Sequence, residues 1–124
     1  MATKIVIEAG GHELSAELSD SAAARIVAAA LPLSPRMSRW GDEYYGSVGL
    51  DIAEDSTARE LMEIGEIAFW PPGKALCIFF GPTPASTDER PKAASAVLPV
   101  GKVAGGLDAL KGMGSSVRMI FREG

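Results

Sequence analysis

Cysteine and histidine are nearly missing from this chain of 124 residues, which has one of each, Cys77 and His12. A lone cysteine permits no disulfide within the chain, and the lack of a paired framework fits a reducing compartment. A lone histidine argues against a Ser-His-Asp triad and against a histidine-based metal site. His12 follows a glycine pair and reads as an exposed turn residue, so no cofactor and no metal are expected. Every apolar stretch falls well short of the roughly 20 residues that a membrane span needs, and no basic start leads into an apolar run. The expectation is a cytoplasmic protein without membrane association. A basic patch is also missing: 12 Lys and Arg are scattered among 16 Asp and Glu, for a net charge of −4 and a pI near 5.0. Phosphate backbones are bound by basic charge gathered on one face, so nucleic acid is not an expected partner. The glycines at 112 and 114 precede no long helix and match no phosphate-binding loop; they read as a turn. No internal repeat and no linker interrupts the chain.

What is present suits one folded domain over residues 1–124: 47% hydrophobic residues, 23% charged, and a mean hydropathy of +0.13. Residues 65–84 organise it. Ile64, Ile67 and Phe69 alternate with Glu63, Glu66 and Ala68 as in a strand, until Pro71 and Pro72 remove the N–H groups a ladder needs. Pro72-Gly73 has the chemistry of a type II turn. Ala75-Leu76-Cys77-Ile78-Phe79-Phe80 then runs apolar without alternation, which predicts a strand covered on both faces. Such a hairpin needs a closed barrel or a second layer over it.

Around it, residues 3–8 and 12–18 predict an opening hairpin about Gly10-Gly11. Ser19 is the expected N-cap of a helix carrying Ala23, Ile26, Val27, Ala30 and Leu31 and stopped by Pro32. Irregular strands are expected over residues 33–40 and 44–52, the second broken by Gly46 and Gly49. Thr57 and Glu60 have capping-box spacing, which allows one helical turn within residues 54–63. Residues 82–92 read as a surface loop, residues 94–103 as a strand with Pro99 at an edge or bulge, residues 107–111 as a short helix and residues 117–122 as the closing strand.

Three stretches carry a resemblance. The hairpin and alanine-containing helix of residues 5–31 resemble the start of cyclophilins, and Gly101-Lys102-Val103-Ala104-Gly105-Gly106-Leu107-Asp108-Ala109-Leu110 is similar to the cyclophilin strand that leads into a short helix. Trp40-Gly41-Asp42-Glu43, Glu63-Ile64-Gly65 and Trp70-Pro71-Pro72-Gly73-Lys74-Ala75-Leu76-Cys77 look like the small prokaryotic cyclophilin-like family, over nearly the whole chain. The resemblance implies a mainly β fold, a closed eight-stranded barrel with a helix capping each end. Cyclophilin isomerases place Phe-His-Arg-x-Ile-Pro after the first helix; Ser34-Pro35-Arg36-Met37-Ser38-Arg39-Trp40 stands there instead. Fold is carried over further than activity.

Arg36 and Arg39 are the positional candidates for the arginine that, in a prolyl isomerase, donates to the prolyl nitrogen. Three residues apart on a strand, they face opposite sides. Trp40, Tyr44, Tyr45 and Trp70 hold all the indole and phenol groups of the chain and are the candidate ligand-binding residues. Adjacent Asp42 and Glu43 diverge on a strand and make a poor acid/base pair; Cys77, in the most apolar strand, reads as inert core. The leading expectation is a cyclophilin-like domain that binds an extended peptide or a small molecule. The alternatives are a divergent peptidyl-prolyl cis-trans isomerase and, with a protein partner, an accessory subunit of a larger enzyme.

Overall fold

Eight of nine strands join in a ring in the computed structural model, which describes residues 2–124. Strands β1 (Thr3–Ala9) and β2 (His12–Leu18) form the opening hairpin, with Gly10 at φ +53° and Gly11 at φ +84° in the turn. Helix α1 (Ala22–Ala30) follows. Next come β3 (Arg36–Arg39), β4 (Glu43–Ser47), β5 (Arg59–Leu61), β6 (Glu66–Trp70), β7 (Ala75–Phe79), β8 (Lys92–Gly105) and β9 (Ser116–Glu123). The ring runs β2-β1-β9-β3-β4-β7-β6-β8, and β8 pairs back onto β2 to close it; all these pairs are antiparallel. Strand β5 stands outside the ring, paired with the first half of β8.

The expected strands are present, with β5 in addition, and the local differences have identifiable causes. Ser21, rather than Ser19, caps α1: its hydroxyl accepts from the Ala24 amide at 3.1 Å, while the Ser19 amide donates to Val100 at 2.8 Å and keeps that residue on the sheet. Instead of a type II turn, Pro71–Gly73 forms a single 3-10 turn, and Lys74, at φ +48°, takes the left-handed conformation expected of Gly73. Glycine at 73 is required for room, since a Cβ there would sit 2.7 Å from the Trp70 ring. The one helical turn expected within residues 54–63 is replaced by a local turn in which Asp55 accepts the Thr57 amide at 2.8 Å, and then by β5. The second helix is a six-residue 3-10 helix, Leu107–Gly112, which follows Gly106 and is too short to propagate as an α-helix. Among the described residues one α-helix therefore accompanies the barrel, rather than a helix at each end.

Apolar residues divide into two clusters because the strands alternate. Ile5, Ile7, Leu14, Ile67, Phe69, Leu76, Ile78, Leu98 and Phe121 belong to the main core, and Ala23, Ala24 and Val27 of α1 pack into it. The opposite faces of β6 and β7 supply Ala68, Cys77 and Phe79 to a smaller cluster on the outside of the ring, covered by Met62, Ala93 and Val97 from the β5–β8 arm. The guanidinium of Arg59 on β5 donates to both carboxylate oxygens of Glu66 on β6, at 2.9 and 2.6 Å, and fastens the arm to the barrel.

Gly101 marks the seam. It pairs with Leu18 on one side and Ile67 on the other, and a Cβ there would overlap the Glu17 carbonyl oxygen. Gly101→Ala is expected to cost about 2–3 kcal/mol by forcing β2 and β8 apart. Denaturant unfolding of the variant beside the native chain measures it, and a shift below 0.5 kcal/mol (about the scatter of neutral surface changes) would show that the closure tolerates a wider seam.

Candidate functional site

A tight turn sets out the site. The Trp40 amide donates to the Glu43 carbonyl at 2.8 Å, with Gly41 at φ +62° between them. A Cβ on Gly41 would lie 2.7 Å from the Pro84 ring, and the Asp42 amide donates to Pro82 at 3.0 Å, so the turn is pressed against the loop after β7. Beyond it, alternation on β4 sends Glu43 and Tyr45 to the outer face of the barrel and Tyr44 to the inner face. Tyr45 stands opposite Cys77 on β7.

Between this outer face and the β5–β8 arm lies a cavity of about 240 Å³. Trp40, Tyr45 and Trp70 supply its aromatic lining, Glu43 its carboxyl group, and Ala93, Ala94 and Val97 of β8 the apolar remainder. The Trp70 indole N–H donates to the Ser95 hydroxyl at 2.7 Å, which fixes the ring. Tyr45 meets it edge to face, with 6.4 Å between ring centres.

Glu43 is the unusual group. Its residue is 5% exposed, and its Oε1 is the one buried side-chain N or O atom without a hydrogen-bond partner among the described residues. Burial raises its pKa to about 7, opposed in part by a hydrogen bond from the Cys77 thiol. Burial, and then the neighbouring Glu43, push the Cys77 thiol well above its ordinary range, so Cys77 stays protonated and donates.

The structure brings three of the four candidate aromatics together. Tyr44 instead lies inside the barrel, fully buried, stacked on Phe80 at 5.7 Å with its hydroxyl donating to the Gly114 carbonyl. The two arginines separate as their spacing requires. Arg36 is exposed on β3 and donates to Ser116 at 3.3 Å. Arg39 lies over Phe80, 5.1 Å from the ring centre, and ties several loops together. It donates to Gly41 at 2.9 Å, Lys111 at 3.1 Å and Met113 at 2.9 Å, and pairs with Asp42 at 3.1 Å. Neither arginine lines the cavity. Sequence reading passed over Glu43 because its neighbour Asp42 diverges from it. Its usable signal was the i, i+2 relation to Tyr45, on a strand beside one that demands cover on its outer face.

Two stability effects follow. Unfolded Glu43 ionises near 4.5 and folded Glu43 near 7, so between these values the folded chain holds a proton that the unfolded chain has released. Stability therefore falls as pH rises from 4.5 through 7 and levels above it, by about 3 kcal/mol at 1.36 kcal/mol per pKa unit. Glu43→Gln is expected to flatten this slope and to stabilise the fold at pH 8; urea midpoints of both proteins across pH 5–8 check it. Arg39→Ala is expected to destabilise by about 2 kcal/mol through the loss of several charge-assisted bonds to loop carbonyls and Asp42, read in the same unfolding experiment.

No helix among the described residues is long and apolar enough to cross a membrane. The sequence matches the cyclophilin-like family over residues 3–122. The solution structure of a hypothetical protein from Archaeoglobus fulgidus is similar, with 30% identity, 98% of this chain and 95% of that chain covered, and a TM-score of 0.79. No curated protein matches. With a barrel of this topology and a match from β1 into β9, the chain belongs to the cyclophilin-like family.

Proposed function

We propose that this protein is a binding domain that takes a small molecule, or one side chain of an extended peptide, in the cavity between the barrel and the β5–β8 arm. One observation carries the reading: a preformed recess lined by Trp40, Tyr45 and Trp70 is also lined by Glu43, a carboxyl group with one buried oxygen that has no partner in the protein. Native chains pair nearly all buried polar atoms, and an exception at a residue that lines a cavity supports a polar group entering it. At about 240 Å³ the recess lies below the roughly 300–1,000 Å³ of drug-sized sites, which suits a single side chain or a small ligand. Aromatic walls supply contact area at little cost in conformational entropy. The isomerase motif is absent, and Arg39 is committed to carbonyls and Asp42, so binding without catalysis is the reading these residues support.

Amide chemical shifts of the protein, recorded with a panel of Xaa-Pro peptides and small organic fragments, test it. Shifts confined to the neighbourhood of Trp40, Tyr45 and Trp70, weakened at least about tenfold (1.4 kcal/mol) in Trp40→Ala and in Trp70→Ala with the fold retained, are the expected result. Exchange spectroscopy on the same peptides gives the competing outcome. Faster cis/trans interconversion that disappears in Arg36→Ala or Arg39→Ala would make the protein an isomerase.

A further inference from the structure

We infer that the group bound in the cavity is a protonated amine, its N–H donated to the Glu43 carboxylate and its charge set among Trp40, Tyr45 and Trp70. The inference deepens the binding reading above and rests on it. Oε1 of Glu43 is buried without a partner, and it belongs to a side chain that lines the cavity. In its ionised form the Glu43 carboxylate only accepts, so the partner of that form is a donor. Cys77 on β7 is the titratable group that interacts with it, as a thiol donor.

The remaining elements around Glu43 leave the cationic role open. From β8 the cavity is lined by Ala93, Ala94 and Val97, and from β6 by Trp70. The nearby charges are engaged elsewhere: Arg39 with Asp42 and four carbonyls, Lys92 toward Glu60 at 4.0 Å, and Arg59 with Glu66. A carboxylate in apolar surroundings without a counter-charge favours a cation over a neutral donor. Tryptophan and tyrosine rings attract cations through their electron-rich faces, and desolvated sites strengthen the effect. A net charge of −4 draws cations toward the surface. Because Glu43 must be ionised to pair with the amine, and its pKa lies at about 7, binding releases a proton at pH 6 and little at pH 8.

The test is a titration of the full chain with n-butylammonium, which stays protonated over this range, against neutral 1-butanol, with protein amide shifts as readout. Binding of butylammonium about tenfold tighter at pH 8 than at pH 6, at least about tenfold tighter than butanol at pH 8, and lost in Glu43→Gln, is expected. The pH profile of the native chain stands on its own should Glu43→Gln fail to fold. Equal binding of butanol, affinity that falls with rising pH, or full binding in Glu43→Gln would each overturn the amine while leaving the cavity a binding site. Absence of binding by either probe overturns the amine as well; the aromatic substitutions of the preceding section then decide separately whether the cavity binds anything. A short blocked peptide with one central lysine, beside its Nζ-acetylated form, identifies the source. Tighter binding of the lysine peptide than of butylammonium supports a peptide side chain, and the reverse supports a free small amine.

Discussion

Burial of β7 on both faces is the constraint on which the rest depends. Its five residues are all buried, yet a barrel wall can hide only the alternate side chains Leu76 and Ile78. The others, Ala75, Cys77 and Phe79, face outward and require a second layer. The β5–β8 arm is that layer. One strand serves both purposes, since the first half of β8 covers the outer face and its second half closes the ring against β2 and β6. The bidentate Arg59–Glu66 pair holds the short β5 where hydrogen bonds to β8 alone would leave it. The cavity lies where this cover meets the aromatic residues beyond it.

Two charged side chains in this region illustrate opposite solutions to burial. Arg39 sits among carbonyl oxygens, a carboxylate and two aromatic rings, so its donors are satisfied within the protein. Its chemistry is spent on holding the turn at Trp40, the 3-10 helix and the segment after it together. Glu43, four residues on, is left with an unpartnered oxygen in apolar surroundings, and its proton affinity rises accordingly. A fold selected for stability alone would place an apolar residue there, since an unpaired buried carboxyl costs free energy that packing would not. The family's barrel is retained, and in the proposed site the polar anchor is a carboxylate where the isomerase motif would provide an arginine.

The sequence by itself determined the barrel. Strand alternation, the proline stop at 71–72, the glycine turns and the continuous apolar run of 75–80 are local signals, and the resemblance they support covers nearly the whole chain. Trp40, Tyr45 and Trp70 were also legible as candidates, because aromatic residues are few and these lie near polar neighbours. What only the tertiary structure decided was which groups meet. Tyr44 and Tyr45 are chemically alike and adjacent, and the pleat sends one into the core and the other to the cavity. Glu43 differs from the exposed glutamates of the chain only in lying beneath an arm whose residues come some 50 positions later. Burial of a charge is a property of what packs over it, and no local pattern encodes that; pairing of distant strands does.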